Sequence, residues 1–171
     1  ATTLTGAVTL TGGLASGATL VELNNAADVS ARMVAAGGTL AMVAATHQGK
    51  IIALDTAAGS VVTLPASTGG GAVYRFLVTV TATSNSHVIK VANASDEMRG
   101  YVIQDASEAT APNIYWAADD DDTITLNRTT TGLAAQGEYF ELVDAVLNHF
   151  FVMGYSQANG TEATPFSATV A

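Results

Sequence analysis

The segment Val73 to Thr83, with the sequence VYRFLVTVTAT, decides the fold prediction. Its side chains alternate between two sets, and one set is clearly the more apolar. That set consists of Tyr74, Phe76, Val78 and Val80. A period of two is typical of a β-strand with one buried face. Because the turn-forming Ser84-Asn85-Ser86 precedes an apolar run at 87–91, the pattern predicts an antiparallel hairpin.

Short runs of the same kind continue on both sides of this hairpin. They cover residues 50–54, 60–64, 100–104, 114–117, 123–126, 139–143 and 149–153. Gly, Pro, Asn and Asp separate them at short spacing, and no helical period is sustained. We therefore predict an all-β fold over residues 41–171, as an antiparallel β-sandwich, a jelly roll, a small barrel or a β-tulip-like domain. Residues 161–171 are expected to add a last strand or a tail.

Residues 1–40 differ from the rest because they are rich in Thr, Gly and Ala and poor in bulky apolar side chains. The run Thr-Leu-Thr-Gly occurs at 3–6 and again at 9–12. Such a segment cannot form its own core, but its Thr and Leu/Val content favours extended structure. We predict an extended N-terminal arm that pairs with a neighbouring subunit; a flexible terminus is the alternative. The candidate contact residues are Thr3, Leu4, Thr9, Leu10, Leu20 and Val21.

A short helix is predicted within this arm, over residues 24–36. Asn24 or Asn25 would cap its start, and Gly37-Gly38 would end it.

Composition restricts the partners. The chain has 15 Asp and Glu against 6 Lys and Arg, a formal net charge of −9. Nucleic acid is therefore not an expected partner, since its binding requires a basic surface. Apolar stretches are interrupted well before the roughly 20 residues that a membrane helix needs. Charged residues make up only 12% of the chain, which indicates either surface buried in an oligomer or a surface rich in Thr, Ala and Gly.

No catalytic arrangement of residues is recognisable. His47, His87 and His149 have no metal-ligand spacing, and without cysteine a thiolate site or thiol nucleophile is excluded. The run Asp119-Asp120-Asp121-Asp122 is the one conspicuous cluster. It is a weak candidate for Ca²⁺, which prefers several oxygen ligands, and a solvated acidic turn is the simpler interpretation. We predict a protein that is not an enzyme and carries no cofactor.

The aromatic residues Tyr115, Trp116, Phe150 and Phe151 are interpreted as core or subunit interface rather than as a ligand platform. Adjacent residues in a strand point to opposite faces. One of Phe150 and Phe151 should therefore lie in the core. The other needs a second layer, the arm or a neighbouring subunit.

Three tracts resemble bacteriophage virion proteins. They are GSVVTLPASTG at 59–69, GAVYRF at 71–76 and TSNSHVIKVAN at 83–93, and the likeness extends over roughly residues 48–170. The resemblance is to small structural proteins of tailed phages, including capsid decoration, or cement, proteins. It implies a homotrimer on the outer capsid surface, bound to the major capsid protein and stabilising the shell. The alternatives are a tail or receptor-binding module of the same fold class, and a carbohydrate-binding β-sandwich, which would need aromatic residues exposed on a flat face.

Overall fold

The computed structural model describes residues 32–106, 111–132 and 136–170. Within these residues twelve strands and one short helix, α1 (Ala44–His47), are formed. The strands are β1 (Met33–Ala35), β2 (Thr39–Ala41), β3 (Ile51–Leu54), β4 (Val61–Thr63), β5 (Ala72–Val78), β6 (His87–Lys90), β7 (Glu97–Ala106), β8 (Asn113–Trp116), β9 (Thr123–Leu126), β10 (Tyr139–Val146), β11 (His149–Ala158) and β12 (Phe166–Ser167). The prediction of a mostly β fold is confirmed.

The described strands form two sheets, called sheet I and sheet II below. Sheet I has the order β1-β3-β5-β10-β11-β7-β8, and sheet II has the order β12-β9-β6-β4-β2. Both sheets are mixed: half of the ten strand pairings among the described residues are parallel. The prediction of a purely antiparallel domain is therefore wrong.

The parallel pairings follow from the path of the chain between the sheets. From β1 to β6, odd-numbered strands lie in sheet I and even-numbered strands lie in sheet II. Two strands of the same sheet are thus separated by a strand of the other sheet and run in the same direction. The linkers that cross between the sheets also bond to each other, since Thr83 N–H donates to Ala57 O at 2.7 Å and Asn85 Nδ2 donates to Ala58 O at 2.9 Å.

The predicted hairpin of 73–83 with 87–91 is wrong for the same reason. β5 pairs with β3 and β10 in sheet I, whereas β6 pairs with β4 and β9 in sheet II. Strand β5 ends at Val78 because the next two amides, of Thr79 and Val80, both donate to Leu54 O at 3.1 Å. The chain leaves sheet I at this point.

One hydrophobic core joins the two sheets. Sheet I contributes buried side chains such as Phe76, Phe140 and Phe150, and sheet II contributes Ile89, Ile124 and Leu126. The alternation predicted for 73–83 is confirmed within β5, because Tyr74, Phe76 and Val78 are at most 1% exposed. Val80, the fourth predicted core residue, lies beyond the strand and is only partly buried. Two mixed sheets around one core are compatible with a β-sandwich.

Residues 32–40, the described part of the predicted arm, are incorporated into both sheets. Met33–Ala35 pairs in parallel with Ile51–Ala53 in sheet I, and Thr39–Ala41 pairs in parallel with Val61–Thr63 in sheet II. The helix prediction is wrong over 33–35, because pairing with β3 overrides a weak local helix preference. The first part of that predicted helix, and all six contact candidates from Thr3 to Val21, lie outside the described residues.

Candidate functional site

The most unusual surface of the described residues is the side of sheet I that faces away from the core. Six large apolar side chains from β8, β10 and β11 are exposed there, and we call them the outer apolar face. They are Ile114 (55% exposed), Trp116 (67%), Tyr139 (37%), Phe151 (45%), Met153 (54%) and Tyr155 (45%). Scattered exposed apolar residues are normal, but a contiguous group marks an interaction surface.

Strand periodicity explains how this face arises. In β11, Phe150 and Val152 point into the core and are at most 3% exposed, whereas Phe151 and Met153 point outward. Successive side chains of a strand alternate between the two faces of its sheet. The prediction that Phe150 and Phe151 separate, one into the core and one outside it, is confirmed.

The strand register brings the exposed residues together across sheet I. Tyr139 of β10 is paired with Tyr155 of β11, Met153 of β11 with Tyr101 of β7, and Tyr101 with Trp116 of β8. The rings of Tyr101 and Trp116 are tilted by 51° with centroids 5.0 Å apart, a favourable arrangement for an aromatic pair. The outer apolar face is therefore continuous across four neighbouring strands.

A shallow depression lies in the middle of this face. Its volume is about 360 Å³, at the lower end of the range of small-molecule sites. Its lining includes the side chains of Tyr101, Trp116, Phe151, Met153 and Glu141. Glu141 is the charged member of that lining.

Two arginines on the outer side of sheet I form ion pairs with nearby carboxylates. Arg75 Nε donates to Glu141 Oε2 at 2.9 Å, and the Tyr139 hydroxyl donates to the same oxygen at 3.2 Å. Burial and the neighbouring Glu141 carboxylate raise the pKa of the Tyr139 hydroxyl above its ordinary value. Arg99 similarly pairs with Glu97 and with Asp119.

Three of the four aspartates of the predicted Ca²⁺ candidate engage different partners, and Asp120 is exposed. Asp119 pairs with Arg99, and Asp121 Oδ2 accepts the Ala118 N–H at 2.7 Å. Asp122 is 4% exposed and accepts the N–H groups of Thr169 and Val170, each at 2.9 Å. It therefore attaches residues 169–170 to the start of β9. In the described part of the chain, no group of three or more His, Asp or Glu side chains is placed to hold a metal ion.

A second buried carboxylate organises the Gly-rich loop that precedes β5. Asp144 of β10 is 3% exposed and accepts hydrogen bonds from Ser67, Thr68 and Gly69. Asp96 adds to this contact by accepting the Ser67 N–H at 3.0 Å. The carboxylate of Asp144 thus attaches this loop to sheet I. The sequence does not reveal this role, because the bonded residues lie 75 to 77 positions apart.

His87 is a further buried polar group with a defined structural role. It is fully buried, its Nδ1 accepts the Ser60 N–H at 2.9 Å, and its Nε2 lies 3.2 Å from Val80 O. The neutral ring with its proton on Nε2 satisfies both contacts. Burial lowers the pKa of His87, although the Val80 carbonyl and Asp55 oppose this.

We expect the protein to lose stability as the pH falls below about 6.5, the ordinary pKa of histidine. Below that value the unfolded chain takes up a proton at His87 that the folded chain resists, so acid favours unfolding. Urea unfolding measured at neutral and mildly acidic pH should show this loss, and His87→Gln should reduce it. His47→Gln is the matched control, because His47 is not buried. An unchanged pH dependence in His87→Gln would contradict the assignment.

Comparisons with protein families, curated proteins and solved structures found no match to this chain. Within the residues described, none of the helical structure has the length and apolar character needed to span a membrane. The outer apolar face was not predicted as a site. Its signal in the sequence was the alternation of Phe151, Met153 and Tyr155 beside the core residue Phe150.

Proposed function

We propose that this chain is a structural protein of a phage virion that decorates the outer capsid surface and stabilises the shell through protein contacts. The observation that supports this proposal best is the outer apolar face, a continuous exposed surface on a rigid sheet. Surfaces of this kind serve association between proteins. The acidic composition, with a formal net charge of −9, suits a particle exterior, because like charges keep particles apart.

The resemblance of residues 48–170 to virion proteins supports the same role. Under this proposal the partners are the major capsid protein and further copies of the chain, assembled as a homotrimer. The part of the predicted arm that precedes β1 would contact a neighbouring subunit, and a jelly-roll-like sandwich would form the body. Function would arise from contact rather than from catalysis.

The number and position of the copies on the source virion test this role. We expect on the order of hundreds of copies over the shell, since a cement protein occupies repeated positions between capsomers. Cryo-electron microscopy of the virion, combined with quantitative gel densitometry, gives both quantities. A few copies confined to the tail would instead favour the tail or receptor-binding module, and none would refute a virion role.

Carbohydrate binding is the second candidate, and one observation favours it. Trp116 and Tyr101 present paired rings beside a depression that also contains the Glu141 carboxylate. Aromatic rings can pack against the apolar face of a sugar, while a carboxylate accepts hydrogen bonds from the hydroxyl groups of that sugar. A glycan array probed with the protein and with Trp116→Ala tests this. Binding that is lost in the variant would support it.

A further inference from the structure

We infer that the outer apolar face of sheet I is the surface at which a second copy of this chain binds. This inference rests on the proposed assembly role and names the partner of that surface. The face combines Tyr, Trp, Phe and Met side chains, the residue types that are enriched where proteins associate. It lies on paired strands, so binding requires little ordering of the backbone.

The area of the face approaches what a stable contact needs. Its six side chains are between 37% and 67% exposed. At such exposure, each of these large apolar side chains presents on the order of 100 Å² of accessible surface to solvent, which gives roughly 600 Å² for the six together. A standard interface buries about 800 Å² per partner. With the polar rim of the sheet included, one copy of this face reaches that size.

Local ion pairs reduce the charge that a second copy would meet at this surface. Two chains of net charge −9 repel each other. On the outer side of sheet I, however, Arg75 is paired with Glu141, and Arg99 is paired with Glu97 and Asp119. Two of the six basic residues of the chain are thus placed on this side. These two arginines offset two of the three carboxylates that they contact, so part of the repulsion between two acidic copies is reduced at this surface.

The outer side of sheet II offers no comparable surface among the described residues. Its side chains include Val61, Val88, Lys90 and Thr125, and Val61, at 37%, is its exposed large apolar residue. These side chains are small or polar. The contrast between the two sheets supplies a matched control for the experiment.

Sedimentation velocity and light scattering on the full chain test the inference, over roughly 1 to 100 µM, where micromolar association is visible. We expect the wild type to self-associate. Trp116→Ser should weaken this association by roughly 30-fold or more, as for an interface residue of large effect. Met153→Glu should abolish it by placing a charge in the contact, whereas Val61→Ser should leave it unchanged.

Far-UV circular dichroism and the urea midpoint of each variant establish that loss of association is not loss of fold. Both substituted side chains are more than half exposed, so we expect both variants to fold. A wild type that stays monomeric throughout the range would overturn the inference, as would an oligomer that both variants preserve. A monomer found on the capsid would refute this inference alone, and an oligomer absent from the virion would refute the proposed function alone.

Discussion

Gly100→Ala should lower the free energy of unfolding by about 4 kcal/mol or more, because the position has neither the space nor the backbone conformation for a side chain. Gly100 has a φ of +117°, and a Cβ built there would lie within 3.0 Å of three backbone atoms of Val152. β7 and β11 are paired at these two residues, so the obstacle is main chain and cannot rotate away. Relief requires the two strands to separate.

The expected damage is centred on the middle of sheet I. Gly100 O also accepts the Ala117 N–H at 2.9 Å, so displacement of β7 would disturb the edge strand β8 together with β11. Equilibrium urea unfolding measures the effect. Gly38→Ala is the matched control, because its Cβ would meet nothing within 4 Å and its φ is not in the left-handed region. That variant should differ from wild type by less than about 1 kcal/mol.

Two outcomes would contradict this account of Gly100. One is a Gly100→Ala protein as stable as the Gly38→Ala control. The other is a protein that keeps its fold but loses self-association. That result would assign Gly100 to the contact surface rather than to the pairing of β7 with β11.

Strand positions were largely predictable from the sequence, because side-chain alternation is a local property. The runs predicted at 123–126 and at 139–143 correspond to β9 and to the first part of β10. Burial of Phe150 with exposure of Phe151 followed from the same rule. Each of these inferences needs only the residues of one strand.

Strand pairing was not predictable, because it depends on where the chain goes after a strand ends. Ser84-Asn85-Ser86 is a turn signal, but a turn within a sheet and a crossing between two sheets use the same residue types. Tyr74 and Ile89 show the same alternation whether their strands are neighbours or lie in opposite sheets. The hydrogen bonds from the amides of Thr79 and Val80 to Leu54 O, which end β5, join residues 25 or more positions apart.

The roles of the acidic residues were also hidden. The Asp119–Asp122 run attracted interest through its charge density, yet its buried member, Asp122, bonds to Thr169 and Val170 far along the chain. Asp144 showed no signal at all, being one of two separated carboxylates in the run YFELVDAV. Hydrogen bonds between distant segments depend on the tertiary fold, so residue type and spacing alone do not reveal them.

Asp144→Asn is the second substitution with a large expected effect, a loss of about 3 kcal/mol in the free energy of unfolding. Asp144 Oδ1 accepts the Ser67 hydroxyl at 2.7 Å and the Gly69 N–H at 2.8 Å, while Oδ2 accepts the Thr68 N–H at 3.0 Å. In the variant, an NH2 group replaces one of the two carboxylate oxygens. This group is a hydrogen-bond donor, and it then faces the N–H and hydroxyl donors of residues 67–69. Asp120→Asn is the control, since Asp120 is exposed and its φ of 68° is one that Asn tolerates.

The same carboxylate predicts an acid-sensitive stability. Burial alone would raise the pKa of Asp144, but the hydrogen bonds from Thr68, Ser67 and Gly69 outweigh it and hold the pKa below its ordinary value. The unfolded carboxyl titrates near its ordinary value of about 4. The stabilisation is therefore complete above about pH 4 and is lost as the pH falls through the lower pKa of the folded state, because the unfolded chain binds the proton first.

Urea unfolding from neutral pH to below pH 4 should therefore show a steeper loss of stability in the wild type than in Asp144→Asn. Part of the acid sensitivity should remain in the variant. Asp122, whose pKa is likewise lowered by the Thr169, Thr123 and Val170 hydrogen bonds against the effect of burial, still titrates. If the two proteins lose stability in parallel over this range, Asp144 is not the group that attaches the 67–69 loop through its charge. The loop would then depend on Asp96 and on the main-chain bond from Gly71 N–H to Asp144 O.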